Sequence, residues 1–451
     1  MLEKIESEGY HAQYGHSQID MLHGSLWNKI PMYALPVAAT AILEQLFNAS
    51  DIAVVGNFAD TNRTAAVAAV GANSSIIGLI LNLFIGIALG ANVVIANAIG
   101  RQDKKTVHRA VHTAIVMALV GGVLVAIFGE CVASALLGAL HVPDDVFPLA
   151  LLYLRIYLLG MPVILLYNFE AAIFRSFGDT KTPLKTLLLS GILNVILNVC
   201  FVLGFHMTVN GVATATVLAN AASSVILLYR LQKTKTEIHV ELKELRIHRD
   251  IFLQIMRIGL PTGLQNAVFA IANIVIQAAI NSLGTIVIAA SSAAFNLEII
   301  AYYVLNSFSQ ACTTFVGQNY GAGQFQRCRK TLWLCLAEDA IASGTAIALV
   351  LFSGKFLLSL FSSDPQVIAI GYTRLLLVFT AYTFSMLYKG MSGYLRGFGI
   401  SLVPAILTTI GVCGVRIGWI HFVFPQNQNY KQTAEWLAQL KEYQQLLQKY
   451  K

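Results

Sequence analysis

The sequence predicts an all-α polytopic membrane protein: two six-helix bundles related by a parallel internal repeat, with the last helix missing or replaced. Three observations carry that prediction. The 451 residues are 56% hydrophobic and only 12% charged, with a mean hydropathy of +0.66, whereas water-soluble domains carry about 25% charged residues. Long apolar runs follow one another along the chain, each reaching the roughly 20 residues that cross a bilayer. Two groups of motifs recur at one fixed spacing.

Residues 1–26 are a polar lead-in with acidic residues, without the apolar core and small-residue cleavage site of a signal peptide. Apolar runs then extend over about 27–58, 66–99, 107–140, 147–175, 182–206, 209–232, 251–282, 286–320, 328–361, 366–396 and 400–425. Each is a candidate spanning helix, and the connections hold loop punctuation such as Pro143-Asp144-Asp145 and Ser363-Asp364-Pro365. Residues 27–232 form the first bundle, 233–250 a polar linker and 251–425 a second bundle with five apparent spans. The tail, 426–451, has no apolar stretch able to span, but Trp436, Leu437, Leu440, Tyr443, Leu446 and Leu447 recur at amphipathic helical spacing.

The basic residues fall in alternate connections: Arg101, Lys104, Lys105 and Arg109; Arg175, Lys181 and Lys185; Arg230 to Arg249; Arg327, Arg329 and Lys330. Lys and Arg accumulate on the cytoplasmic side, so these connections and the amino terminus are placed inside a plasma (inner) membrane. Arg63 is the clearest exception. Topology and anionic lipid then account for the net charge of +7 without nucleic acid, and the chain reads as a monomer.

The repeat shows in NAIGRQDKKTVHR from Asn97 against QNYGAGQFQRCRK from Gln318, and RSFGDTKTP from Arg175 against RGFGISLVP from Arg396. Gly100 and Gly321, Arg175 and Arg396, Gly178 and Gly399, and Pro183 and Pro404 all stand 221 residues apart. Six runs separate the copies, so both begin on one side and the repeat axis lies along the membrane normal.

An ionisable group in hydrocarbon costs at least about 2.5 kcal/mol, which makes an intramembrane carboxylate a functional candidate. Glu44 and Asp51 lie two turns apart on one face of the first run, about 10.5 Å along the axis. A carboxylate taken out of water holds a proton more readily, and an ionised one can bind sodium with neighbouring oxygens. The structural alternative is pairing with Arg155 or Arg175. Asn194 and Asn198 share one helical face. In the second half Gln265, Asn266 and Asn273 are polar on the seventh run, while Glu298, Glu338, Asp339 and Lys389 remain as intramembrane charges able to meet a cationic substrate or to pair. Pro36 and Pro261 each remove a backbone hydrogen bond and can hinge their helices.

The six cysteines have no C-x-x-C pair and read as small buried apolar residues. The ten histidines show no metal spacing, and His206 reads as a surface residue. Phosphate-loop, zinc-protease and serine-hydrolase motifs are absent, so neither ATP nor hydrolysis is indicated, nor any organic cofactor. A polytopic enzyme would need a cluster of acid, base or metal ligands, and none is seen.

NASDIAVVGNF, GANVVIANAIGR, RSFGDTKTP, LNVILNVCFVLGFHMTVNGVATAT, FVGQNYGAG and YLRGFGISLVP together resemble the multidrug and toxic compound extrusion (MATE) family over about 27–425. The resemblance implies two six-helix bundles facing across a central cavity. It implies export of organic, often cationic compounds against an inward flow of protons or sodium ions. By that likeness Asp51 matches the first-helix acid that handles the coupling ion, and Asn168, Tyr153 and Thr216 match polar positions lining the cavity. Where many members carry an asparagine and then an aspartate, this chain has Asn194 and Asn198; where some carry a seventh-helix acid, it has Phe269. The low carboxylate count favours a proton over a sodium ion at Asp51. A lipid or glycolipid flippase of related architecture is the alternative, disfavoured because few Lys or Arg lie deep in the runs.

Overall fold

A computed structural model of the chain describes residues 18–58, 63–140, 142–418 and 420–421. The tail, and with it the question of a twelfth span, lies outside the described residues, as does most of the lead-in. The helices are α1 (Leu26–Phe58), α2 (Arg63–Gly100), α3 (Lys104–Ala139), α4 (Phe147–Leu159), α5 (Met161–Ser176) and α6 (Lys181–Gly204). They continue as α7 (Val209–Lys233), α8 (Arg249–Asn281), α9 (Thr285–Gly321), α10 (Phe325–Ser359), α11 (Pro365–Gly397) and α12 (Leu402–Gly418). Among the described residues nine are long and apolar enough to cross a membrane singly, and no strand occurs.

The fourth run is not one rod: α4 and α5 meet at 51°. Gly160 caps α4 and Pro162 stands in the first turn of α5, so the ring interrupts the backbone ladder at the bend. Gly122 of α3 accepts the Pro162 backbone where any side chain would collide. The outer faces carry bare apolar groups such as Leu124, Phe128, Phe352 and Leu407, as expected where the surrounding solvent is acyl chain.

The repeat is visible in the coordinates. Helix starts Lys104 and Phe325 are 221 residues apart, as are Lys181 and Leu402. At the end bearing the basic loops, the Asn97 amide donates to the Gly397 carbonyl (3.2 Å) and the Gln318 amide to the Ser176 carbonyl (2.7 Å). Donors 97 and 318 and acceptors 176 and 397 each differ by 221, so the two bonds are images of each other across a pseudo-two-fold axis between the halves. Gly178 and Gly399 share a positive φ, 92° and 82°, a conformation that only glycine adopts without strain.

A glycine seam joins the halves. Gly86 and Gly90 of α2 face Gly259 and Gly263 of α8, so that a Cβ on Gly90 would stand 2.7 Å from the Gly259 Cα. Small residues four apart on both helices allow backbone-to-backbone approach, which in lipid substitutes packing for a hydrophobic driving force. Nearer the basic end, Gly100 of α2 and Gly321 of α9 make the same reciprocal contact with Gln318 and Asn97.

Residues 18–22 are buried or half-buried at this closed end, while His23, Gly24 and Ser25 are exposed. Ile19 N–H donates to the Gly178 carbonyl of the first half (3.2 Å). The Met21 carbonyl accepts from Asn319 and Arg327 of the second half, both at 3.2 Å. Arg327 also donates to the carbonyls of His23 and Gly24. The linker is pinned on α3 through Glu237 with Lys104, Glu244 with His108 and Asp250 with Arg109.

Two sequence readings change. Cys131 and Cys200 are exposed on helix faces, whereas Cys312, Cys328, Cys335 and Cys413 are buried as expected. His108 and His112 do have helical metal spacing and, with Glu244, place ligand atoms within 4.8 Å of one another. The His112 ring is committed elsewhere, since Nδ1 meets the His108 carbonyl (2.7 Å) and Nε2 the Glu241 N–H (3.0 Å). Its role here is to hold the linker. His206 is exposed, as read from the sequence.

Candidate functional site

Asp51 is 1% exposed inside the first half, where α1 packs on α6 and α7. Its Oδ1 accepts from Asn198 Nδ2 and its Oδ2 from Thr216 Oγ1, both at 2.7 Å. Asn194 closes the cluster, donating to Thr216 Oγ1 (3.1 Å) while its own Oδ1 accepts from Asn198 (3.2 Å). Four sequence candidates are thus one network, because Asn194 and Asn198 share a face of α6 and Thr216 looks back from α7. Asn198 Oδ1 alone in this network is buried without a donor.

Thr216 also lines the central cavity between the halves, a space of about 370 Å³. Thr216 is therefore the residue that joins the enclosed carboxylate to the cavity wall. The floor toward the basic end is a buried chain from α1 to α9 to α2: Tyr33 Oη with Thr314 Oγ1 (2.8 Å), which donates to Asn92 Oδ1 (3.0 Å).

Glu44 does not join Asp51. It lines the central cavity with Arg175, and neither is in an ion pair among the described residues. Arg155, expected as a structural partner for the acids, pairs with Glu130 at 3.3 Å instead. Tyr153 stacks on Tyr157, centroids 6.1 Å apart, and makes no hydrogen bond to the cluster. Asn168 lines the cavity and donates to the Ile164 carbonyl. Pro36 and Pro261 lie inside unbroken helices, α1 and α8.

Glu170 on α5 was missed from sequence. It is fully buried, accepts from Ser224 Oγ (3.0 Å) and leaves Oε1 without a donor. The rule that singled out Asp51, an acid within an apolar run, applies equally to it. Asn198, Asn194, Ser190, Thr186 and Thr182 form a buried polar stripe along α6. Ser223 of α7 bonds to Ser190 at 2.5 Å.

The second half holds a larger cavity of about 1150 Å³ among α8, α9, α11 and α12. Asn266, Asn273, Glu298 and Lys389 line it, as does Gln265, which joins Arg396 Nη2 (2.8 Å) to Thr408 Oγ1 (2.7 Å). Glu298, read as able to meet a cationic substrate or to pair, is paired with Arg374 at 3.4 Å. Basic residues nevertheless border both cavities: Arg374, Lys389 and Arg416 line this one, and Arg175, Lys389 and Arg396 the central one, Arg175 and Arg396 from the last turns of α5 and α11. Sequence hides this because depth depends on where each helix ends. Glu338 and Asp339 lie on α10 outside both cavities; Ser343 donates to Asp339 (2.7 Å) and neither Glu338 oxygen has a donor.

Comparison with known proteins agrees with this architecture. The MatE family profile matches residues 36–200 and 261–419, one match in each half. A protein named probable multidrug resistance protein YoeA of Bacillus subtilis is 23% identical over 400 residues, covering 87% of this chain and 86% of its own. A probable multidrug resistance protein NorM of Thermotoga maritima is 26% identical over 406 residues, covering 85% and 82%. A solved structure described as the outward-facing conformation of a multidrug resistance MATE family transporter superposes with a TM-score of 0.81 at 22% identity, over 89% of this chain and 88% of that one. With helices fit to span, a repeat about a central cavity and a family match across both halves, the chain belongs to the MatE family of multidrug and toxic compound extrusion transporters.

Proposed function

We propose that the protein exports small organic molecules across the plasma (inner) membrane by antiport with a cation, through alternating access. The observation that carries this reading is Asp51, a carboxylate sealed from lipid and bound by donors on two other helices, one of which forms the wall of the central cavity. Neutralising that carboxyl by a proton or a sodium ion alters its bonds to α6 and α7 together, which gives the ion a different affinity for each packing of the first half. Only such a difference lets an ion shift a conformational equilibrium.

Protonation suits the cluster better than sodium coordination. A sodium ion takes several oxygen ligands, and here both carboxylate oxygens and Asn194 Oδ1 already accept from donors, leaving Asn198 Oδ1 without one. The bonded network at the basic end and the cavities above it correspond to an outward-facing state, with the basic loops in the cytoplasm by the charge rule. Pro36 and Pro261 are the hinges in this reading, and Asn168 borders the ion path without binding the ion, whereas Tyr153 is buried outside the cavity lining.

The test is efflux of a fluorescent dye from reconstituted vesicles under an imposed proton or sodium gradient. Asp51→Asn is expected to lower gradient-driven efflux at least ten-fold while the protein remains monodisperse. Undiminished efflux in that variant would remove Asp51 from the coupling site.

A further inference from the structure

The cavity of the second half carries more positive charge than its own groups neutralise. Its lining holds three cations, Arg374, Lys389 and Arg416, against one acid, Glu298, which Arg374 already occupies. Lys389 is 8% exposed with no carboxylate in ion-pair range among the described residues. Its ammonium reaches only Tyr302 Oη (3.3 Å) and Asn306 Oδ1 (3.5 Å). Phe269 lies within 5.9 Å of the Lys389 ammonium and 5.2 Å of the Arg416 guanidinium. Lys389 also lies 5.3 Å from the Tyr302 ring and 5.7 Å from the Tyr388 ring, and Arg416 is exposed, so Lys389 is this cavity's buried cation that meets neutral groups alone among the described residues. Ring faces attract cations modestly, far less than a desolvated charge needs.

We infer that this cavity binds an anionic ligand with a flat aromatic or apolar body, its carboxylate, sulfonate or phosphate supplying the counter-charge that the buried Lys389 lacks, with Arg416 as a second, exposed cation on the same lining. Phe269 and Tyr302 offer ring faces to the body of such a molecule, and about 1150 Å³ admits one of drug size or larger. The same chemistry is offered by a free aromatic anion and by the headgroup and chains of an anionic lipid. The inference rests on the exporter reading only in treating this cavity as the substrate's; the charge balance stands independently of it.

Fluorescein and rhodamine 6G share a tricyclic ring system and differ in charge, which makes them a matched pair of probes. Purified full-length protein in phosphatidylcholine nanodiscs is titrated against each, with fluorescence anisotropy as the readout. Fluorescein is expected to bind at least ten-fold tighter, and Lys389→Gln and Arg416→Gln each to weaken it several-fold without weakening rhodamine 6G. Lys389→Arg, which keeps the charge, is expected to retain fluorescein binding and so separates charge from damage to the fold. Rhodamine 6G binding as tightly as fluorescein, or Lys389→Gln leaving fluorescein unchanged, overturns the inference. Adding phosphatidylglycerol to the nanodisc separates the two sources: displacement of fluorescein assigns a lipid ligand, and no displacement a free anion. Gradient-driven transport of the same dyes keeps the two readings apart. Fluorescein bound but neither dye moved sinks the exporter and spares the anion site; rhodamine 6G moved with no fluorescein bound does the reverse.

Discussion

Thr216 has two duties that rest on one hydroxyl. It donates to Asp51 Oδ2, accepts from Asn194 and faces the central cavity. Thr216→Val keeps the shape and leaves a buried carboxylate oxygen and an amide each short of a partner. A buried acceptor that loses its donor costs about 1–3 kcal/mol, and more when it is charged, so a lower melting temperature in detergent is expected together with slower gradient-driven efflux. Thr216→Ser is expected to restore both, and failure of serine to restore efflux would mean that the hydroxyl is not the working group. The residue scale was partly legible in the sequence. Polar groups at Asp51, Asn194, Asn198 and Thr216 stand out against apolar runs, and the two asparagines share a helical face by spacing alone. That Glu44 and Asp51 part company was not legible, because one face of α1 meets both a closed bundle and an open cavity.

At the scale of elements, α2 offers its own control. A Cβ on Gly90 would overlap the α8 backbone, whereas a Cβ on Gly78 would meet nothing within 4 Å. Gly90→Ala is expected to destabilise by about 1–3 kcal/mol through overpacking, and Gly78→Ala to stabilise by up to about 1 kcal/mol through helix propensity. Thermal unfolding of the two variants in one detergent checks this, and equal shifts would show that the seam is looser than described. The G-x-x-x-G spacing of 86 and 90, and of 259 and 263, can be read from the sequence; that the two pairs face each other cannot, since they lie in different halves. The bend between α4 and α5 was likewise written in Gly160 and Pro162, yet an unbroken apolar run concealed it. The wall of cations was hidden for a different reason. Arg396 was visible as a repeat motif, but its place beside Gln265 depends on how α11 and α8 cross.

For the whole molecule, the repeat was the most legible feature, because a spacing of 221 residues kept through separate motifs leaves little freedom in topology. The mirrored bonds of Asn97 and Gln318 give that spacing its physical meaning. One short stretch has no counterpart in this symmetry: residues 18–25, which touch Gly178 in one half and Asn319 and Arg327 in the other. Arg327→Ala removes three of its hydrogen bonds, and faster amide exchange at residues 19–22 is the expected result, read by mass spectrometry. Unchanged exchange would show that Asn319 and Gly178 suffice.

In the proposed export cycle that stretch is a clasp, bridging two lobes that would have to part before cargo entered from the other face. Its release is then a toll on every cycle, levied on one leg of the journey only, so loosening it should hasten reloading while leaving discharge to the far side untouched.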